Sequence, residues 1–216
     1  MTYVSWGVVY EGPTDQAYFD VLIPRLMEEL IAQNPLRNSV VPASPAVRLP
    51  RGPIEEVARR ICRERDAYHL VFIHADTGGR GLEVAAQALA EAYKQALRDE
   101  CGWPIDRCIV ISPRHETEAW LLSDPQAVAD VLGYRGALDA IGLPLNARAA
   151  ERVVDPKALL REVSDRVRGR RRPMNSSLMF PAIAQRQNLA LLRRSESFRG
   201  YEAQVTGALR SLGCIA

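Results

Sequence analysis

Short apolar runs that alternate with helix-forming stretches are the feature that most constrains how this chain can fold. The runs VVY, LVFI and CIVI end at residues 10, 73 and 111, and turn-forming residues follow each of them. Helical patterns lie between the runs, at 13–33, 54–67 and 82–99. A weaker apolar segment at 39–41 is flanked by prolines and is predicted as an edge strand or an irregular segment. Strands that alternate with helices form a mainly parallel sheet. The sequence therefore predicts an α/β fold in which helices flank such a sheet.

The last third of the chain carries helical patterns only. Helices are predicted at 156–167, 181–192 and 197–212. We therefore predict an α/β domain over residues 1–134, followed by a helical C-terminal extension, 135–216, that packs on it.

Acidic side chains follow three of the predicted strands. Glu11 comes after VVY, Asp76 comes shortly after LVFI, and Glu116 and Glu118 come after the third strand. An open parallel sheet binds ligands at the carboxyl ends of its strands, so we expect these groups to share one edge. Clustered carboxylates repel one another unless a cation lies among them. Oxygen ligands favour Mg²⁺ or Mn²⁺ over zinc, so the pattern predicts a site for one of these two ions.

Each of these signals also has a purely structural explanation. A glutamate before Gly12-Pro13 is common in turns, Asp76 is a suitable helix cap, and the two later glutamates would complement a helix dipole. If Glu116 and Glu118 are both helical, they point to nearly opposite faces, and only one of them can face the site. Glu116 is favoured because it stands nearer the strand end. The site interpretation depends on all the acidic positions occurring together.

Glycines precede the predicted helix at 82–99. Gly78 and Gly79 would let the backbone approach a phosphate at the positive end of that helix. The segment is not a P-loop, because the Lys-Ser/Thr pair of that motif is absent.

Basic residues concentrate toward the end of the chain. The net charge is only +2, but residues 161–172 read REVSDRVRGRRR. This asymmetry favours a polyanionic partner, and a solvated arginine-rich loop is the alternative.

The cysteines and the hydropathy pattern indicate the cellular compartment. Cys62, Cys101, Cys108 and Cys214 form no C-x-x-C pair and are predicted to be reduced, mostly buried thiols. No run approaches the ~18 apolar residues of a membrane span. The start of the chain lacks a signal-peptide pattern. We expect a cytoplasmic protein without membrane association.

Three motifs, EGPTDQAYF, HADTGG and HETEAWLLSDP, occur in this order and together resemble the Toprim fold. Topoisomerases, bacterial primases and overcoming-lysogenisation-defect nucleases share that fold. More closely, the chain resembles a group of bacterial Toprim-like proteins with a His-Glu-x-Glu-Ala motif. The Asp-Pro-Lys and Ser-x-Ser-Phe elements of that group look matched at 155–157 and 195–198. The resemblance covers most of the chain.

The resemblance implies a Toprim-like, Rossmann-like fold with a Mg²⁺-dependent site for phosphoryl transfer. Glu11 matches the glutamate that acts as general base or metal ligand, and Asp76 matches one aspartate of an Asp-x-Asp pair. The other position of that pair is His74 or Gly78, and neither is acidic. This departure weakens a second metal site, although His74 could ligate Mn²⁺ or carry a proton.

The sequence thus predicts a Mg²⁺- or Mn²⁺-dependent nuclease with Glu11, Asp76 and Glu116 as its catalytic residues, and with Glu118 and His74 as further candidate metal ligands. Sequence-independent contacts with a nucleic acid, most simply DNA, are expected from the basic residues Lys157, Arg168, Arg170, Arg171 and Arg172.

The alternative is a non-catalytic Toprim module that binds a metal, a nucleotide or a partner protein, as one component of an anti-phage or mobile-element system. Nucleases of the resembled family often carry an ATPase domain, and none is fused here, so a separate ATPase is a candidate partner.

Overall fold

A parallel sheet forms the centre of the computed structural model, which describes residues 2–75, 82–169 and 175–216. The strands are β1 (Thr2–Tyr3), β2 (Trp6–Val9), β3 (Ser39–Val40), β4 (Val47–Leu49), β5 (Leu70–His74) and β6 (Cys108–Ile111). The central sheet has the order β4-β2-β5-β6, and all of its pairings are parallel. β1 and β3 form a separate parallel pair.

Helices cover both faces of the sheet. They are α1 (Pro13–Gln33), α2 (Ile54–Arg63), α3 (Leu82–Cys101), α4 (Thr117–Leu121), α5 (Pro125–Leu132), α6 (Ala147–Ala150), α7 (Pro156–Arg168), α8 (Ser176–Arg186), α9 (Leu189–Leu192) and α10 (Glu196–Ser211). α2 and α3 pack on one face, and the remaining helices contribute to the core on the other. Among the described residues, no helix combines the length and the apolar character that a membrane crossing requires.

The alternation of side chains along each strand explains the two cores. In β5, Phe72 points to the α1 side, whereas Val71 and Ile73 point to α2 and α3. Because both faces are covered by helices, the strand reads as a continuous apolar run. The α1 side contains the buried Trp120 ring, which contacts the rings of Phe19, Phe198 and Tyr201.

The strand order creates a crevice between β2 and β5. The connection that leaves β2 runs to β4 on one side, and the connection that leaves β5 runs to β6 on the other. Neighbouring strands whose connections diverge in this way leave a gap at their carboxyl ends, where open α/β sheets bind their ligands.

The C-terminal helices complete the core on the α1 side. α8 packs along α1, and α10 packs on β6. Gln187, which follows α8, is buried; it accepts a hydrogen bond from the Tyr18 hydroxyl and donates to the backbone carbonyls of Trp120 and Leu121. These contacts tie α1, α4 and the C-terminal third together. The division into two units at residue 134 stays a prediction.

The predicted fold class is confirmed, since helices flank a parallel, Rossmann-like sheet. One strand was missed, and one local prediction is wrong. β4 was not predicted, because its three residues stand among prolines. The helix predicted at 181–192 is two helices: α8 begins at Ser176 and contains Pro181 in its second turn, where the proline removes only one backbone hydrogen bond.

The prediction of four reduced thiols is wrong for one pair. Cys62, in α2, and Cys101, at the end of α3, form a disulfide with their Cα atoms 5.9 Å apart, whereas Cys108 and Cys214 are free and buried. Sequence reasoning missed the pair because 39 residues separate its two cysteines, and only the packing of α2 against α3 brings them together.

Reduction of this disulfide should destabilise the protein. A crosslink lowers the entropy of the unfolded chain, and a loop of this size corresponds to about 2–4 kcal/mol of unfolding free energy. Urea denaturation with and without a reducing agent measures the difference. The Cys62→Ser variant is the control, because the reductant should not change its stability. Equal sensitivity of both proteins would contradict the expectation.

Candidate functional site

The carboxyl edge of the sheet brings Glu11 to Arg51. Val9 is in register with Leu49, and two residues further along each chain the same alignment places Glu11 opposite Arg51. Their side chains form an ion pair of 2.9 Å; the Arg51 side chain is 65% exposed and that of Glu11 only 20%. Glu11 therefore stands at the sheet edge, as predicted, with its carboxylate against an exposed guanidinium.

A buried polar cluster lies on the α1 side of the sheet, at the same edge. The Thr117 hydroxyl donates to Asp15 Oδ1 at 2.7 Å and lies 3.2 Å from His74 Nε2. His74 Nδ1 is 3.8 Å from Asp15 Oδ2, and the imidazole ring packs on Phe19. All three polar residues are buried, and they come from the first turn of α1, the end of β5 and the start of α4.

The local sequence explains why Asp15 points into this cluster. Gly12 is the N-cap of α1 in extended conformation, and Pro13 occupies the first helical position, where its missing N–H costs nothing. Asp15 is therefore in the first turn, close to the positive end of a 21-residue helix.

The turn between β6 and α4 has an unusual backbone. His115 has φ 69°, in the left-handed region that few non-glycine residues other than Asn, Asp and His adopt. Glu116 then takes an extended conformation as the N-cap of α4. This sharp turn directs Thr117 and Glu118 into the protein at the carboxyl edge.

Glu118 is a buried carboxyl group with a strongly perturbed pKa. Burial raises the pKa of Glu118 to about 7, and the negative charges of Glu116 and Asp15 act in the same direction. Hydrogen bonding with its own backbone and the positive charge of Lys157 oppose the increase. These influences place Glu118 in one electrostatic neighbourhood with the other two acids and with Lys157.

The premise used to choose between Glu116 and Glu118 is wrong. It assumed that both residues are helical, but α4 begins at Thr117, and Glu116 precedes it as the cap. The helical geometry therefore does not force the two side chains apart. Glu118 is buried, and the Glu116 atom Oε2 is buried as well.

The other predicted site residues fall into two groups. One group lies outside the described residues and consists of Asp76, Gly78, Gly79, Arg170, Arg171 and Arg172. Lys157 and Arg168 are exposed on α7. Lys157 is in the first turn, near Glu118, whereas Arg168 is eleven residues further along, or about 16 Å at 1.5 Å per residue. The structure thus brings Lys157, but not Arg168, close to the acids.

The two later motifs have structural roles. Asp155 caps α7 by accepting a hydrogen bond from the backbone of Ala158 at 2.7 Å. Ser195 caps α10, and its hydroxyl also donates to Glu151. Burial raises the pKa of Glu151, but hydrogen bonds from the side chain of Ser195 and from the side chain and backbone of Ser197 outweigh it, and the net pKa is lowered.

Sequence reasoning missed Asp15, Thr117 and Arg51. Asp15 could have been recognised as a candidate, since it stands four residues after Glu11 in the same motif. Thr117 stands between the two glutamates but is not a charged residue. Arg51 has no local signal, because only the pairing of β2 with β4 brings it to Glu11.

The potential ligand atoms at this edge are carboxylate and hydroxyl oxygens, which are the type of ligand that a hard cation prefers. The raised pKa of Glu118 reflects burial together with repulsion among neighbouring acids, and a cation would relieve that repulsion. Within the described ranges, however, no group of three or more His, Cys, Asp or Glu side chains is placed to hold a metal ion. A complete cation site here needs a further ligand.

Comparison with known families gives one match. The family described as a domain of unknown function (DUF4276) matches residues 10–206. This chain belongs to the DUF4276 family. No curated protein and no solved structure shows a significant match. The DUF4276 match runs from the end of β2 into α10, so it includes both the candidate site and the C-terminal helices. The relation to Toprim proteins stays a prediction.

The hydroxyl of Thr117 should stabilise this DUF4276 protein by holding the buried Asp15 carboxylate. Thr117→Val keeps the shape and removes the donor, so we expect a loss of about 1.5–3 kcal/mol of unfolding free energy. Urea denaturation measures this loss. Thr206→Val is the matched control, because that hydroxyl donates only to the backbone carbonyl of Glu202, and we expect a change below about 0.5 kcal/mol. Equal losses in the two variants would rule out a special role for Thr117.

The stability of the protein should fall as Glu118 ionises. Its folded-state pKa of about 7 lies above the ordinary 4.5, so the fold favours the protonated form. That contribution is complete below the ordinary pKa and is lost as pH rises through about 7. Between about pH 5 and about pH 8, Glu118→Gln should therefore lose less unfolding free energy than the wild type, by on the order of 2–3 kcal/mol. The exposed Glu28→Gln serves as control, and identical pH profiles for all three proteins would refute the prediction.

Proposed function

We propose that the protein is a Mg²⁺- or Mn²⁺-dependent hydrolase of phosphodiester bonds in nucleic acid, most simply DNA. The observation that carries the proposal is the meeting of Asp15, His74 and Thr117 beside Glu118, at the carboxyl ends of adjacent strands. Asp15, His74 and Thr117 are far apart in sequence, and they meet where open α/β sheets bind ligands. Buried, charge-perturbed acids in such a place mark functional sites.

Each residue of the cluster has a chemical role in this proposal. Glu11 and Asp15, with Asp76 from the segment outside the described residues, would hold the cation. A cation held there supplies charge stabilisation for a phosphodiester and lowers the pKa of a bound water. Thr117 and His74 orient the Asp15 carboxylate. Glu118, with a pKa of about 7, would exchange a proton with the attacking or leaving oxygen.

Positively charged side chains at the same edge support a polyanionic substrate. Arg51 follows β4, Arg114 follows β6, and Lys157 lies near Glu118. Arginine and lysine contacts with phosphates are independent of sequence, so binding should weaken as salt rises. Arg168 and the arginines at 170–172 would extend this contact along the backbone.

A non-catalytic module is the second candidate function. It is favoured by the missing acid of the Asp-x-Asp pair, since the second position of that pair is His74 or Gly78 and neither is acidic. Here the imidazole is buried against Thr117, Asp15 and Phe19. Such a module would bind a metal, a nucleotide or a partner protein without cleaving a substrate.

The cellular setting is part of the proposal. We place the protein in the cytoplasm, with a separate ATPase as a candidate partner, in an anti-phage or mobile-element system. Cytoplasmic thiols are usually kept reduced, so the Cys62–Cys101 disulfide would form there only transiently or under oxidising conditions.

Substitution of Glu11 or Asp15 should abolish DNA cleavage. In the presence of Mg²⁺ or Mn²⁺, the wild type should cleave plasmid or single-stranded DNA, and Glu11→Gln and Asp15→Asn should lower the rate at least about 100-fold, because each removes a negative charge from the cation site. Gel assays of both substrates measure the rates.

Asp20→Asn is the matched control for this experiment. Asp20 is also an acid of α1, but it pairs with Tyr10 and Arg48 away from the cluster, so its activity should stay near that of the wild type. Equal activity of Glu11→Gln and the wild type would remove the nuclease proposal. Tight binding of Mn²⁺ without cleavage of any DNA or RNA would support the non-catalytic module instead.

A further inference from the structure

We infer that one face of α7 binds a single strand of a polynucleotide through three successive cations, Lys157, Arg161 and Arg168, here called the α7 row. The inference rests on the proposed function and adds to it the class of substrate, which is a polymer rather than a mononucleotide. It also assigns a phosphate contact to Arg161, a residue that no sequence motif suggests.

The three members of the α7 row lie on one face of the helix. An α-helix has about 3.6 residues per turn, so residues four and eleven positions apart are about one and three turns apart. Lys157 and Arg161 are therefore neighbours, and Arg168 follows two turns further along the same face. All three residues are exposed. At 1.5 Å per residue, the row is about 16 Å long.

The first member of the row stands beside the candidate site. α7 packs on α4, the helix that carries Thr117 and Glu118. Burial raises the pKa of Glu118, and the positive charge of Lys157 opposes that rise, so the ammonium group lies near the buried carboxyl group. The row therefore begins at the candidate site and leads away from it.

The charges of the row are not arranged to stabilise α7 itself. A cation in the first turn, where Lys157 stands, is unfavourable beside the positive end of the helix dipole. Within the described part of the chain, no carboxylate lies at ion-pair distance from any member of the row. Arg166 differs, because it lies on the opposite face, pairs with Glu162 at 3.7 Å and donates to the backbone carbonyl of Ile141. The row thus presents its charges to an anion from outside the protein.

The length of the row fits a polymer. Successive nucleotides of one strand of B-form DNA are about 3.4 Å apart along the axis, so a strand must extend over about five nucleotides to contact the whole row. Contacts of lysine and arginine with phosphates fix the position of a nucleic acid but carry no sequence information. The row therefore predicts binding of a strand by its charge and not by its bases.

The helix offers a matched control in Arg166. Arg161→Gln and Arg166→Gln change the net charge equally, within the same helix, but only the first removes a member of the row. Arg161 is exposed, and its side chain has no hydrogen bond or ion pair with the described residues, so its substitution should leave the fold intact.

The first measurement is fluorescence anisotropy of a labelled single-stranded DNA of about 12 nucleotides, with a chelator so that no metal ion contributes. Arg161→Gln and Arg168→Gln should each bind more weakly than the wild type, and each should lower the logarithmic salt slope by about one. Between about 50 and about 200 mM salt, the difference in affinity from the wild type should therefore shrink about 3.5-fold. Arg166→Gln should keep the slope of the wild type.

The second measurement is competition by unlabelled DNA of different lengths. A dinucleotide is too short to contact the whole row, so it should compete at least about 10-fold more weakly than the longer strand, which gains two further phosphate contacts. In Arg161→Gln this advantage of the longer strand should be smaller than in the wild type.

The outcomes separate this inference from the proposed function. If Arg161→Gln and Arg166→Gln lower the salt slope equally, only the net charge matters and the row is refuted, whereas the hydrolase proposal is still decided by cleavage with Glu11→Gln. If the dinucleotide competes as well as the longer strand, the polymeric substrate is refuted. If the wild type binds DNA as expected but cleaves none, the row stands and the hydrolase proposal fails. If the wild type binds no DNA at all, both fail.

Discussion

The parallel register of the central strands is the constraint on which the rest of the structure depends. It carries the segments after β4, β2, β5 and β6 to one edge of the sheet, and the polar groups of the candidate site come from that edge or from the first turn of the following helix. A slip of one residue in β5 would turn His74 to the face covered by α2 and α3, away from Asp15 and Thr117. The cluster of Asp15, His74 and Thr117 therefore forms only when the strands pair in this register.

Carboxylates are compensated in different ways within this small region. Asp15 is buried and is held by a hydroxyl group, an imidazole and the positive end of α1. Glu118 is buried with a pKa of about 7, so that a bound proton neutralises much of its population near neutral pH. Glu11 lies further out and is paired with the guanidinium of Arg51.

Patterns in the sequence predict the parts of this fold that depend on local signals. The buried strands β2, β5 and β6 and the long helices α1 and α3 follow from apolar runs and helical periodicity, and the fold class follows from their alternation. β4 was not predicted, because its three residues stand among prolines and are too few to show the alternation of a strand. The Cys62–Cys101 pair escaped because it depends on the packing of α2 against α3.

The candidate site was only partly predictable for a similar reason. Glu11 follows a recognisable strand, so its place at the edge could be predicted, and Asp76 was predicted by the same reasoning but lies outside the described residues. Asp15 and Thr117 can be recognised as members of the site only when the packing of α1, β5 and α4 is known. The argument that only one of Glu116 and Glu118 can face the site depended on one helix boundary, and helix boundaries depend on cap geometry that a sequence shows poorly. The preference for Glu116 stays a prediction.

The packing of α10 has a consequence for how the protein is made. α10 covers β6, and its Phe198 and Tyr201 rings contact Trp120. A ribosome releases all the strands of the central sheet long before it releases this helix, so a nascent chain would display a large aromatic surface meanwhile. Such transiently exposed apolar surfaces promote association with chaperones or with other chains.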